Sequence, residues 1–185
     1  MLEKNENPET TPGTSLPYSF ETENSHITAR RCEDGDSKWI FDLQNDVEVA
    51  KYLPWDPPVP QSPDDVLLRI EKWKTDGSAR YIVESDGIPC GSFDIWSDPD
   101  EGTGLYTVCY ALLPEYRGQG IIGAVFSKVD ELLEDDLNAK GIVAYVDEVN
   151  LKSKQILEGQ GLRSTGKYKD VEHSQPQYKK LFEKL

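Results

Sequence analysis

From residue 105 to residue 135 the chain is a strand-like run, a glycine-rich turn and an amphipathic helix in immediate succession. Leu105 to Leu113 is rich in Tyr, Thr and Val and fits a pleated strand. Pro114 and Glu115 end it, and Arg117-Gly118-Gln119-Gly120 follows. Ile121, Ile122, Val125, Phe126, Val129, Leu132 and Leu133 then recur at helical spacing, with a wide apolar stripe. Glycines let a backbone approach a ligand closely. The first amides of a helix have no partner and carry positive partial charge, so this junction suits a pyrophosphate. Arg117 adds a cation. With 20 basic and 34 acidic residues the chain carries a net charge of −14, so fixed backbone dipoles are a means of holding an anion that the overall charge repels.

The remaining chain gives this junction its context. Residues 1–24, rich in Glu, Asn, Pro and Thr, read as a disordered tail before a single domain over 25–185. A short strand is expected at Ile27 to Arg31 and a helix capped by Asp36 through Leu43, with a second short helix from Val47 to Tyr52. Five prolines between Pro54 and Pro63 interrupt regular structure, and Ser62-Pro63-Asp64-Asp65 reads as a helix start. Arg80 to Ser85 and Cys90 to Trp96 are β-like runs around the Asp86-Gly87 hairpin signal, followed by an acidic loop from Ser97 to Gly104. After the central helix come a strand at Ile142 to Val146, a helix from Asn150 to Gln160 stopped at Gly161, and two late β-like segments around 162–169 and 177–182. This order predicts an α/β (α+β) fold, a mixed sheet with helices on both faces.

Gly118, Gly120 and Gly123 also spell G-x-G-x-x-G, the dinucleotide fingerprint, which keeps a nicotinamide oxidoreductase as an alternative. A dinucleotide fold needs parallel βαβ units continuing past the fingerprint. Here one strand–helix unit follows and a hairpin signal precedes. No Gly-Lys-Ser/Thr occurs, which excludes a P-loop.

Leu112-Leu113-Pro114-Glu115-Tyr116-Arg117-Gly118-Gln119-Gly120-Ile121 resembles the Gln/Arg-x-x-Gly-x-Gly/Ala hallmark of the GNAT superfamily of N-acetyltransferases. Asn150-Leu151-Lys152-Ser153 and Gly161-Leu162 match its later Asn-x-x-Ser and Gly-Phe features. Tyr52-Leu53-Pro54-Trp55 and the hairpin are similar to the Rim-type branch, which acetylates ribosomal-protein N-termini. The resemblance covers roughly residues 25–183 and implies a largely antiparallel sheet and a direct transfer of acetyl from acetyl-CoA to a primary amine of a small molecule or a protein N-terminus. It implies that backbone groups near Leu112 and Leu113 pair with the pantetheine arm. It also implies that Arg117, Gly118, Gln119, Gly120, Ile122 and Gly123 hold the pyrophosphate and that Asn150 and Ser153 sit near the pantetheine and the sulfur. Helix capping suits Asn150 and Ser153 equally.

Three positions depart from the family pattern. Ile122 stands at the hallmark's Gly/Ala place, Leu157 where many relatives carry a tyrosine acid, and Thr107 where some Rim-type relatives carry Glu. They motivate an alternative, a non-catalytic acyl-CoA-binding sensor. Amine attack needs a base, usually a carboxylate. Asp94, sharing a strand face with Ser92 and Trp96, and Glu101 in the acidic loop are the catalytic candidates beside Ser153. Asp147 and Glu148 follow the strand beside the cofactor. Tyr52, Trp55, Trp96 and Asp147 are the candidate acceptor-binding residues.

The acidic balance disfavours a nucleic-acid surface and is compatible with a cationic acceptor. Cys32, Cys90 and Cys109 follow no disulfide or metal spacing and only His26 and His173 occur, so no metal is expected. No long apolar run suggests a membrane span, and the start lacks a secretory pattern. A cytoplasmic monomer or homodimer is expected.

Overall fold

The protein is described by a computed structural model over residues 16–53, 59–75, 78–97, 101–169 and 175–182. In chain order the elements are β1 (Ser19–Glu21), β2 (Ile27–Arg31), α1 (Ser37–Asn45), α2 (Val47–Ala50) and α3 (Pro63–Thr75). Then come β3 (Ala79–Ser85), β4 (Ile88–Ser97), β5 (Leu105–Leu112) and α4 (Ile121–Glu131). The chain closes with β6 (Gly141–Tyr145), α5 (Leu151–Gly159), β7 (Arg163–Tyr168) and β8 (Pro176–Leu181). The strands form one sheet in the order β1-β2-β3-β4-β5-β6-β8-β7. Every pairing is antiparallel except β5 with β6. A continuing parallel βαβ array is absent from this sheet, so the dinucleotide-fold reading of the three glycines fails.

Local chemistry explains most boundaries. Asp86 and Gly87 both adopt positive φ (51° and 75°), as a two-residue hairpin between twisted strands requires. At the start of α3 the Asp65 carboxylate accepts from the amides of Gln61 (2.8 Å) and Ser62 (3.0 Å). Ser62 Oγ returns the favour to the Asp65 amide at 3.3 Å. The widest apolar helix, α4, buries Ile121, Ile122, Val125, Phe126 and Val129. It ends in a π turn over Leu132–Asp136.

Strand alternation divides the core in two. Tyr81, Val83, Phe93, Ile95 and Val108 face α4 and α5, while Ile82 faces α1 and α3 beside Ile40, Val66 and Ile70. Ala111 packs with Leu43 and Val49 of α1 and α2. Helices therefore cover both sheet faces. On the α1–α3 face, Arg80, Asp94 and Cys109 are successive cross-strand partners on β3, β4 and β5. That polar row reappears in the site.

Two expectations need correction. The tail reading does not hold for residues 16–24. Phe20 and Leu16 are buried, and β1 pairs with β2 in antiparallel register. Phe20 meets Tyr81 edge-on with centroids 5.0 Å apart. Two apolar residues in a polar stretch were enough to fix it on the sheet edge. Residues 1–15 lie outside the described residues.

Asp36 precedes α1 but makes no side-chain cap. Its carboxylate is drawn instead to the Arg30 guanidinium in a bidentate pair (2.8 and 2.9 Å) and to the Glu33 amide (2.8 Å). Burial pushes this carboxyl upward, but those hydrogen bonds and the Arg30 charge outweigh it and hold it below the usual carboxylate range. A depressed value stabilises the fold above the unfolded pKa of about 3.9, and the contribution is lost as pH falls through the folded value. Asp36→Asn should therefore lower unfolding stability by about 1–3 kcal/mol at pH 7. The gap to wild type should narrow towards pH 3 in urea melts.

Candidate active site

The hydrogen-bonded register of β5 and β6 runs from Leu105↔Gly141 to Val108↔Ala144 and stops, although β5 continues to Leu112. The two strands part. Backbone groups on a strand point alternately to its two edges. The Leu113 amide donates to the Cys90 carbonyl on the β4 side at 2.9 Å. Leu112 and Tyr110 consequently turn their amides and carbonyls to the edge that β6 has left. This separates the two expected backbone positions: Leu112 lies on the open edge, whereas Leu113 is spent on β4 and packs towards α1 and α2.

At the head of this opening the chain turns into α4. Gly118 and Gly120 hold φ of 78° and 77°, a left-handed conformation that glycine adopts without strain. Ala124 donates to the Gly120 carbonyl at 3.0 Å, the first bond of the helix. The amides of Ile121, Ile122 and Gly123 precede it and have no intrahelical partner. Ile122 does not obstruct them, because its side chain is buried in the core at 4% exposure. Arg117 is clamped to the turn by two carbonyls, Nε to Leu112 and Nη2 to Glu48, each at 3.1 Å. Gln119 does not line the cavity; its side-chain amide braces the turn through the Glu115 carbonyl at 2.9 Å.

The other wall is the start of α5. Asn150 caps the helix by accepting the Ser153 amide at 3.1 Å. Capping therefore falls to Asn150 alone and leaves the Ser153 hydroxyl for a different contact. That contact is Tyr110, whose hydroxyl lies 2.7 Å from Ser153 Oγ across the opening. Tyr110 stacks on Phe93 (5.9 Å, 18°), and Phe93 meets Phe126 of α4 edge-on at 5.5 Å. Burial pushes the Tyr110 phenol above its ordinary value, partly offset by the Ser153 bond, so it stays protonated at neutral pH. Leu157 is a core residue at 1% exposure. A tyrosine hydroxyl reaches Ser153 from β5 instead. Sequence reading missed Tyr110, although its alternation with Val108 and Leu112 puts all three on the α4–α5 face.

A cavity of about 1120 Å³ runs from this opening to the α1–α3 face. Tyr52, Trp96, Asp147, Asn150 and Ser153 line it, as does Asp94. Trp55 falls outside the described residues. The Asp94 carboxylate is not isolated: Arg80 grips it in a bidentate pair, with Nε on Oδ1 at 2.6 Å and Nη2 on Oδ2. Both side chains are about nine-tenths buried, at 10% and 13% exposure. Burial raises the Asp94 pKa despite the opposing Arg80 charge. The neighbouring Cys109 thiol is pushed up to about 12 by burial and by Asp94, so it is not a nucleophile at neutral pH. Glu101 does not line the cavity. Tyr145 and Gln177 hold its carboxylate, Gln177 Nε2 at 2.7 Å. Thr107 is a buried wall residue. Among the described residues no cluster of three His, Cys, Asp or Glu is placed to hold a metal, and no helix is long and apolar enough to cross a membrane.

A parted parallel strand pair with a helix N-terminus at its head forms a cleft that suits an extended ligand with an anionic group. Residues 26–163 match the family described as acetyltransferase (GNAT) domain, and the chain belongs to that family of acetyl-CoA-dependent N-acetyltransferases. No curated protein sequence matches it. Its fold is similar to that of RimL, a ribosomal L7/L12 alpha-N-protein acetyltransferase solved with coenzyme A (TM-score 0.72, 14% identity, 85% of this chain and 95% of that one). It is also similar to a probable acetyltransferase (TM-score 0.73, 24% identity, 87% and 96%). A mutant spermidine N-acetyltransferase SpeG from Vibrio cholerae gives a TM-score of 0.68 at 20% identity over 85% and 95%.

No atom lies within 4 Å of a Cβ built on Gly120, so its requirement is conformational rather than steric. Gly120→Ala should cost about 1–2 kcal/mol of stability through left-handed strain alone, measurable as a lowered urea midpoint.

Proposed function

We propose that the protein transfers acetyl from acetyl-CoA directly to a primary amine, of a small molecule or a protein N-terminus. One observation carries this: three unspent helix-entry amides and the clamped Arg117 cation stand at the head of an open strand edge. The amides of Ile121, Ile122 and Gly123 suit a diphosphate. The Leu112 and Tyr110 edge suits an amide-bearing arm laid along β5 like an added strand. The cavity is large enough to take both the end of that arm and an acceptor.

The acceptor must lose a proton, since an alkylammonium titrates near pH 10.4. Of the carboxylates that line the cavity, Asp94 is the one with a raised pKa, which makes it, directly or through water, a stronger base than an exposed aspartate. The departing thiolate, conjugate to a thiol of pKa about 8.5, needs one proton. Ser153 Oγ supplies it, Tyr110 donates in turn to Ser153, and the phenol regains through cavity water the proton that Asp94 took from the amine. The serine and tyrosine so form one relay, and the leucine at position 157 is no obstacle.

Calorimetry should detect CoA binding, and thiol release should accompany acetylation of at least one amine in a panel. Ser153→Ala and Tyr110→Phe should each lower kcat by about 10- to 100-fold while KM for acetyl-CoA changes little. The double variant should be no worse than the poorer single one, as expected for residues acting as a unit. Additive losses would overturn the relay, and absence of CoA binding would overturn the whole reading.

A further inference from the structure

Thr22, Gln44, Ser92, Thr107 and Gln177 are polar residues buried in the described part of the chain. The fold itself engages three of them. Thr22 Oγ1 lies 2.9 and 3.1 Å from the Asn24 and Ile27 carbonyls. Gln177 donates to Glu101 at 2.7 Å and to Tyr145 at 3.0 Å and accepts from Thr165 at 2.8 Å. Thr107 is partnered as well. Gln44 and Ser92, 8% and 4% exposed, are different. Neither side chain makes a hydrogen bond among the described residues, and Gln44 Oε1 is buried without a partner. Both residues line the cavity.

An unpartnered buried amide or hydroxyl is less favourable than an apolar side chain of the same shape. Gln44 therefore does not hold the fold together. Its neighbour Asn45 shows the contrast, donating to the Phe41 and Pro60 carbonyls at 3.0 and 3.1 Å. Packing sets where Gln44 stands. On α1, Ile40 packs with Ile82 of β3 and Leu43 with Ala111 of β5. Ile82 and Ala111 are the two cross-strand partners of Ser92. The helix thus crosses β4 at Ser92, and Gln44 follows about one turn after Ile40. Asp94 is two residues along the same face of β4, about 7 Å from Ser92. That interval takes an amine nitrogen at Asp94 and an oxygen two carbons away near Ser92 and Gln44, each at about 2.8 Å.

Resting on the acetyl-transfer reading above, we infer that Gln44 and Ser92 form an acceptor-binding site for an uncharged oxygen two carbons from the amine. The Gln44 carboxamide carries donors and an acceptor, and the Ser92 hydroxyl is both, so a carbonyl or hydroxyl group is matched without any charge. An acceptor that displaces water from this wall must reproduce water's hydrogen bonds or bind weakly. A plain alkylamine leaves both side chains unpartnered, and a site built for a polar group discriminates against an analogue that lacks it. The oxygen belongs either to the first carbonyl of a peptide or amino-acid amide, or to the hydroxyl of an amino alcohol or amino sugar.

L-alaninamide, L-alaninol and 2-aminobutane have nearly one shape and differ in that oxygen. For each, kcat/KM is measured by thiol release and binding to the CoA-loaded protein by calorimetry, in wild type, Gln44→Leu and Ser92→Ala. A nearby oxygen also lowers an amine's own pKa. The readout is therefore the preference over 2-aminobutane in wild type divided by that in the variant. For at least one oxygen-bearing amine this quotient should be about five or more in Gln44→Leu and about two or more in Ser92→Ala, in either measurement. Whether the alaninamide or the alaninol arm responds identifies the source. The urea midpoint of Gln44→Leu should equal or exceed that of wild type, because an orphan carbonyl is removed. Gln44→Met repeats both tests with a closer shape. A quotient near one for both amines in either variant, or a midpoint lowered in both glutamine variants, would overturn the inference. Thiol release with any amine would leave acetyl transfer standing in that case. A binding preference lost in the variants, without thiol release from any amine, would uphold this site and overturn the transfer reading. CoA binding with neither turnover nor preference would overturn both.

Discussion

The separation of β5 from β6 after Val108 and Ala144 is the constraint on which the site depends. Backbone amides and carbonyls buried without partners are expensive, so strands in a sheet normally stay paired along their length. Here β5 keeps its β4 partner to Leu112 while β6 ends at Tyr145 and turns towards α5. The opened edge is tolerable because it faces a cavity, and it becomes useful because α4 begins at its head. The aromatic group of Phe93, Tyr110 and Phe126 joins β4, β5 and α4, so the opening and the helix entry are held by one packed unit.

The sheet's two faces then divide the chemistry. Towards α4 and α5, β5 presents Tyr110 to Ser153, giving a hydroxyl pair beside the opening. Towards α1 and α3, the same sheet presents Arg80, Asp94 and Cys109 in register. A period of two makes this division automatic: neighbouring residues Cys109 and Tyr110 serve opposite faces, and the parted strands connect them.

Much of this was legible in the chain. Helix starts at Pro63, Gly120 and Asn150, the Asp86-Gly87 hairpin and the stop at Gly161 all follow from residues within a few positions of one another. The glycine turn pointed to an anion site through its backbone alone. Where the reading went astray, a distant partner had intervened. Asp36 left its helix cap for Arg30, residues 16–24 joined the sheet edge, and Leu113 gave its amide to Cys90. Glu101 was drawn away from the cavity to Tyr145 and Gln177.

By itself, the sequence determined the strand–glycine turn–helix junction and the alternation of strands and helices. These depend on dihedral preferences, capping and periodicity, which act over one or two turns of chain. Only the tertiary structure decided that Tyr110 meets Ser153, 43 residues away, and that Arg80 answers Asp94. Such partnerships depend on strand order and register, and a shift of one residue would send every side chain to the other face.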